Sequence, residues 1–234
     1  MSSMMNPIRQ GSMRLSDIKG KIQDRAFEIL SKEIDVLRPA QEKSIKAGLL
    51  DGKNLLVCTP TASGKTLVAE LAALSSILTG KGKALYIVPL KALAQEKYRD
   101  FSRRYKGLIS IAISIGDFDS SDTHLADYDL IILTSEKLDS LIRHHTPWLS
   151  RVSVLVVDEI HGLHDVSRGP TLEILITILR KILPKVQIIA LSATIGNAEE
   201  LAGWLSAELV QDDWRPVRLD KGIYHQGSIE FYEG

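Results

Sequence analysis

A single cysteine, Cys58, stands in the 234 residues, so no disulfide can form within the chain. A lone thiol inside an apolar run, Leu55-Leu56-Val57-Cys58, reads as a small core residue, and reducing, cytoplasmic surroundings fit it. Neither charge is in surplus, since 29 Lys and Arg balance 29 Asp and Glu. No global positive field announces nucleic acid, and any polyanion site has to be assembled from local groups. No apolar run is long enough to cross a bilayer, which speaks against a membrane role. Residues Met1 to Ser16 lack the apolar stretch of a secretory signal and are expected to form a flexible start. Internal repeats and low-complexity tracts are absent too. A chain of this length buries an ample core without metal or disulfide.

What is present centres on residues 59–66, Thr-Pro-Thr-Ala-Ser-Gly-Lys-Thr. They lie between the Leu55–Cys58 run and a helix-like stretch, Leu67-Val68-Ala69-Glu70-Leu71-Ala72-Ala73-Leu74. Strand, tight loop and helix make an anion cradle, because backbone N–H groups and the positive helix end converge on one point. Pro60, Thr61, Ala62, Ser63 and Gly64 supply the loop. Lys65 adds a mobile charge for β- and γ-phosphates, and Thr66 a hydroxyl for Mg²⁺. The usual pattern opens on glycine; Thr59 stands there instead, so the backbone must enter at negative φ. A surface turn is the plainer reading of Gly-Lys-Thr, and the flanking strand and helix tell against it. The stretch predicts a site for ATP and Mg²⁺.

A second buried run, Val154-Leu155-Val156-Val157, ends in Asp158-Glu159-Ile160-His161. Adjacent carboxylates at a strand end are costly unless a cation or a reactant needs them there. Asp158 is expected to hold Mg²⁺, directly or through water. Glu159, directed elsewhere because strand side chains alternate, is expected to polarise a water for attack on the γ-phosphate. Two solvated loop acids would be the alternative. Taken alone, His161 and His164 read as ordinary histidines, and neither has zinc-ligand spacing. Ser192-Ala193-Thr194 ends another apolar run, where small hydroxyl residues can cap a helix or reach the carboxylates.

Apolar runs and helical stretches alternate along the rest of the chain. Strands are expected at Ala84–Val88, Ile109–Ile115, Leu130–Leu133, Val152–Val157 and Gln187–Leu191. Helical spacing marks Leu90–Tyr105, Glu136–His145, Thr171–Leu183 and Ala198–Leu205. An amphipathic helix is expected over residues 21–31, and another from Pro39 to about Leu50, closed by a left-handed Gly52. Nearly unbroken Val and Ile runs suit a parallel sheet covered on both faces, so the pattern predicts a doubly wound α/β sheet. Ligands of such sheets bind beyond the carboxyl ends of the strands, where every motif above falls. From Trp214 the texture changes to extended segments around Gly222 and Gly227. The expected domains are a flexible 1–16, an α/β domain over 17–213, and an extended 214–234.

Read in order, Gln41 with Leu37 and Pro39, the loop 59–66, Val88-Pro89-Leu90-Lys91-Ala92-Leu93-Ala94, Gly116-Asp117, Thr134-Ser135-Glu136-Lys137, Asp158-Glu159-Ile160-His161 and Ser192-Ala193-Thr194 form a series. The series resembles the first RecA-like domain of superfamily 2 DExH helicases, a P-loop NTPase fold. Ala62-Ser63 and Arg168-Gly169-Pro170-Thr171-Leu172-Glu173 resemble the Ski-two-like branch, and within it the archaeal repair DNA helicases related to HelQ.

The resemblance implies that Leu37 and Gln41 meet the adenine, with Gln41 reading its edge. It implies that His161 belongs to the catalytic set and, with Ser192, Ala193 and Thr194, couples nucleotide state to nucleic acid. It implies a single-strand path along Pro89, Lys91, Ala92, Gly116, Asp117, Thr134, Glu136 and Lys137. Backbone N–H groups, hydroxyls and Lys91 and Lys137 suit phosphates better than base edges. It further implies 3′-to-5′ unwinding of DNA, and a second RecA-like domain that supplies arginine fingers. The 234 residues are accordingly expected to be the first half of a motor, binding ATP and strand weakly with poor turnover. An RNA helicase or ribonucleoprotein remodeller shares these motifs, and small-molecule phosphoryl transfer would leave most of them idle.

Overall fold

Short Leu, Ile and Val runs bounded by loops form the strands, and amphipathic stretches between them form the covering helices. The computed structural model describes residues 12–116, 122–165, 169–216, 221–225 and 227–232. Seven strands make one sheet: β1 (Leu55–Cys58), β2 (Lys83–Val88), β3 (Ile111–Ser114), β4 (Leu130–Thr134), β5 (Val152–Val157), β6 (Gln187–Ser192) and β7 (Glu208–Gln211). Their spatial order is β3-β4-β2-β5-β6-β1-β7, and every pairing is parallel. All strands therefore end at one rim. The sequence missed β7 because it is short and holds only Leu209 and Val210 between polar residues.

Strand alternation divides the core between the two faces. Leu55, Val57, Tyr86, Ile132, Val156 and Leu191 turn to one side. There they meet α1 (Asp24–Leu30), α2 (Pro39–Lys46), α3 (Lys65–Leu78) and α4 (Lys91–Arg104). Leu56, Ile87, Leu133, Leu155 and Ile188 turn to the other, against α5 (Ser135–Arg143), α6 (Gly169–Ile182) and α7 (Ala198–Leu205). The doubly wound expectation holds. No helix among the described residues is long and apolar enough to cross a membrane.

Several boundaries move for physical reasons. The chain turns left-handed at Gly48, with φ of 99°, so α2 ends at Lys46 and a 3₁₀ turn, Leu49–Asp51, follows. The helix expected over 21–31 starts only at Asp24, after a 3₁₀ stretch from Leu15 to Lys21. Residues 12–16, counted with the flexible start, are packed: Leu15 is 1% exposed, and Met13 O accepts from Leu37 N at 2.9 Å. Described parts of the 214–234 segment form an antiparallel hairpin, β8 (Lys221–His225) with β9 (Ser228–Tyr232).

Glu42 clasps this beginning of the fold. Its carboxylate accepts from Ser12 N, Ser12 Oγ and Met13 N at 2.8, 2.9 and 3.1 Å, and from Lys46 Nζ at 2.6 Å. The Lys46 hydrogen bond, joined by those of Ser12 and Met13, pulls the carboxyl from 4.5 down to about 2 against the upward push of burial. A depressed folded value contributes stability above the unfolded value that is lost on acidification. Glu42→Gln is expected to lower stability by about 1–2 kcal/mol at neutral pH. It should also flatten the loss that the native protein shows as pH falls from 4.5 toward 2, as measured by urea unfolding at stepped pH.

Candidate nucleotide and nucleic-acid site

Because the strands are parallel, the predicted residues gather on one rim by topology alone. The loop after β1 runs into α3, and its start is pinned by Thr59 N donating to Ser192 O at 3.2 Å. Inside the loop, the Thr59 and Ser63 hydroxyls share a 2.7 Å hydrogen bond. Ala62 has φ of 64° and Gly64 φ of 92°. At Gly64 the left-handed φ favours glycine, and a Cβ there would push aside the side chains of Gln41 and Arg38. This backbone approach is what an anion cradle requires of glycine.

Lys65 opens α3 and is only 9% exposed. Its ammonium donates to Thr59 O at 2.7 Å and Pro60 O at 3.3 Å, folded back over the loop. Burial lowers its pKa below the ordinary lysine range, opposed by the negative charges of Glu159 and Asp158. Gln41 is buried, with Oε1 accepting from Arg38 N at 2.8 Å and Nε2 donating to Gly64 O at 2.9 Å. The Oε1 bond caps the start of α2 and the Nε2 bond braces the loop, so reading an adenine edge would require Gln41 to give up both contacts. Leu37 is fully buried beneath.

Asp158 follows β5, and its backbone N–H donates to Ile87 O at 2.9 Å. Its Oδ1 accepts from Glu159 N at 3.0 Å, and its Oδ2 from the Tyr86 hydroxyl at 2.9 Å. Lys97 on α4 donates to Thr66 Oγ1 at 2.9 Å and stands 3.9 Å from Asp158 Oδ2. One ammonium thus touches both side chains expected to hold Mg²⁺, which brings Thr66 and Asp158 together across the rim. Glu159 lies past the strand, at φ of 54°. Strand alternation therefore does not direct its side chain; a left-handed backbone does. Two groups beside the site take their pKa values from burial. The Cys58 thiol is raised, and so is the Tyr86 hydroxyl, beside which Asp158 adds its charge.

His161 joins this strand to its neighbour. Its Nδ1 lies 3.4 Å from Ala193 N and 3.3 Å from Glu159 Oε2. A bare Nδ1 accepts from Ala193, whereas a protonated one can donate to Glu159, so the two contacts belong to different states of the ring. Ser192 is fully buried; its hydroxyl sits beside the Cys58 thiol with no nitrogen or oxygen partner. Thr194 lies in the turn after β6. Below the carboxylate loop, Gly169 opens α6 where any Cβ would overlap the Leu163 carbonyl, so that glycine is set by close approach. Arg168 lies outside the described residues, and of His164 only the backbone is described.

The residues expected along a strand path occupy the other half of the rim. Pro89, Lys91 and Ala92 lie at the end of β2 and the start of α4, with Lys91 and Ala92 exposed. Thr134 ends β4 and is buried, while Glu136 in α5 is exposed. Gly116 follows β3 and is exposed; Asp117 lies outside the described residues. Lys137 departs from expectation. It is buried, with its ammonium 2.9 Å from Asp122 Oδ2, because α5 turns it inward. As placed, its ammonium pairs with Asp122 ahead of the 3₁₀ turn Thr123–Asp127.

Sequence reasoning did not find Arg38, Tyr86, Lys97 or Trp214. Arg38 donates to Ala62 O at 2.6 Å and stacks 5.5 Å from the Trp214 ring centroid, so β7 and its exit reach the phosphate loop. Lys97 could have been noticed as a charge on the buried stripe Ala94–Phe101 of α4.

A parallel α/β sheet carrying this loop on β1 and paired acids beyond β5 defines a RecA-like, P-loop NTPase fold. The sequence comparisons narrow the class. Residues 38–201 match the model of the DEAD/DEAH box helicase family, and the chain belongs to that family. It is 50% identical to the ATP-dependent DNA helicase Hel308 of Pyrococcus abyssi over 91% of the chain and 30% of the relative. It is 54% identical to that of Methanocaldococcus jannaschii over 90% of the chain and 18% of the relative. The chain thus spans less than a third of the length of either. Among solved structures, the DUF1998 helicase MrfA bound to DNA superposes with a TM-score of 0.70 at 28% identity, covering 82% of this chain and 30% of that one. MrfA bound to DNA and AMPPNP matches at 0.70 and 29%, covering 84% of this chain and 30% of that one.

Proposed function

We propose that the chain is the first RecA-like motor domain of an ATP-dependent DNA helicase, working in the cytoplasm on single strands in repair or recombination. The observation that carries this reading is the division of one rim. Strands β1, β6 and β5 present the phosphate loop, Ser192–Thr194 and the acids, while β2, β4 and β3 present the candidate strand path. The relatives, DNA helicases among them, and the DNA-bound structural neighbour point the same way.

The residues present suit the groups the reading requires. A side-chain-free Gly64 and the N-terminus of α3 make a cradle for a triphosphate. The Thr66 hydroxyl and Asp158 carboxylate are hard oxygen donors that already share one cation, the Lys97 ammonium. In this reading Mg²⁺ bound there would screen the β- and γ-phosphate charge. Lys65 turns from its own carbonyls to the phosphates, Glu159 takes a proton from the attacking water, and Gln41 exchanges Gly64 O for the base. His161 exchanges Ala193 for Glu159, a means of passing the nucleotide's state to the turn after β6. Pro89 to Ala92, Gly116 with Asp117, and Thr134 to Glu136 line the strand's path, where backbone N–H groups and hydroxyls meet its phosphates, and unwinding is completed by a second RecA-like domain with its arginines.

Competition binding of matched DNA and RNA single strands tests the substrate. DNA is expected to win, with affinity falling steeply with salt and little sequence preference. Equal or better competition by RNA would favour the remodeller. Turnover by these 234 residues should be slow and barely stimulated by strand; vigorous stimulation would overturn the two-domain reading.

A further inference from the structure

Lys97 is a half-buried cation placed where the proposed function puts another. It lies on α4 between the core residues Ala94 and Phe101, and its side chain is 16% exposed. Its Nζ stands 2.9 Å from Thr66 Oγ1 and 3.9 Å from Asp158 Oδ2. Asp158 has little freedom to move away. Tyr86 holds Oδ2 from the fully buried face of β2, and the Glu159 N–H holds Oδ1. Tyr86 is itself fixed by an edge-on contact with Phe101, at 5.5 Å between ring centroids. The same helix, α4, thus supplies both the wedge behind Tyr86 and the ammonium in front of Asp158.

Mg²⁺ binds oxygen ligands at about 2.0–2.1 Å and tolerates little distortion. An ammonium hydrogen-bonded to one of its two protein ligands would stand within a few ångström of the metal, where like charges in a partly buried site repel strongly. The two cations therefore exclude each other. Room for withdrawal exists. The Lys97 side chain borders a cavity of about 520 Å³ that is also lined by Gln41, Gly64, Thr66, Glu70 and Asp100. Glu70 is buried there, its carboxylate held by Arg104 at 2.8 and 3.1 Å and by the Tyr105 hydroxyl, and a second cation would add to that network.

We propose that Lys97 is the resident counter-cation of the Thr66–Asp158 pair in the nucleotide-free domain, holding the two ligands together until Mg²⁺ arrives with the nucleotide and displaces it toward Glu70 and Asp100. Lys97 is a positioning residue that acts through Thr66 and Asp158, and it sets how much Mg²⁺ is needed to load the site. This inference rests on the nucleotide reading above.

The test titrates Mg²⁺, from chelated to saturating, into protein mixed with a fluorescent ATP analogue, and follows binding. No turnover is involved. Lys97→Met removes the charge but keeps the stem; its half-saturating Mg²⁺ is expected to fall roughly tenfold, the worth of one charge-assisted hydrogen bond. Lys97→Arg, which keeps a cation on the helix, is expected to stay near the native midpoint and controls for packing; thermal melting checks that both fold. A folded Lys97→Met whose midpoint is unchanged or higher overturns the inference while leaving the nucleotide reading intact. Native protein that binds the analogue independently of Mg²⁺, or does not bind it, overturns both.

Discussion

Replacing Lys65 by alanine is expected to abolish ATP binding while leaving the melting temperature nearly unchanged. The two effects separate because Lys65 does different things in the two states. In the free domain its ammonium is desolvated over Thr59 O and Pro60 O, and burial lowers its pKa even with Glu159 and Asp158 nearby. Two hydrogen bonds offset a desolvation of similar size, so the net loss on removal is about 1 kcal/mol, or ~2–4 °C for a domain of this size. Against a triphosphate the same ammonium meets concentrated negative charge, and a charge-assisted contact of about 3 kcal/mol corresponds to roughly two orders of magnitude in affinity. Isothermal titration with ATP, paired with thermal melting, measures both. Retained binding would mean that the phosphate site lies elsewhere on the rim. A collapse in melting temperature would mean that Lys65 supports the loop more than it serves a ligand.

That site was readable because its backbone logic is local. A strand, six loop residues and a helix follow one another without interruption, and β5 and α7 begin and end where the apolar spacing places them. The fold class was readable for the same reason: parallel strands betray themselves by continuous apolar runs. What escaped was tertiary. Tyr86 reaches Asp158 across 72 residues of sequence, and Lys97 reaches Thr66 across 31, so no local spacing could reveal either pair. Lys137 shows the opposite failure. The resemblance puts it on the strand path and its place at a helix start suggests a solvated lysine, yet its helix turns it onto Asp122. Residues 12–16 are polar on average and near the chain start, although Leu15 is buried in the core and Glu42 holds Ser12 and Met13. Composition describes a segment's average, and one buried leucine with one well-placed carboxylate, Glu42, is enough to override it.

Glu159→Gln is expected to separate hydrolysis from binding. The glutamate sits at φ of 54° and ψ of 45°, a left-handed conformation that costs a side-chain-bearing residue about 1–2 kcal/mol. Such strain persists where the surroundings hold it, here through Asp158, which caps the Glu159 N–H, and Gly162, whose N–H donates to Glu159 O at 2.9 Å. The side chain is 37% exposed, open to a water, with its Oε2 3.3 Å from His161 Nδ1. Glutamine has the same shape and the same backbone cost, so stability should not change. What it loses is the ability to take a proton, a contribution of about 10²–10⁴ in rate. Single-turnover hydrolysis with protein in excess should fall by that factor, while affinity for the fluorescent nucleotide stays close to native. If the variant instead loses nucleotide, Glu159 shares the metal's load with Asp158, and the division of labour between the two acids is wrong. If hydrolysis is undiminished, the base is another group, and His161, 3.3 Å from Glu159, is the first to test.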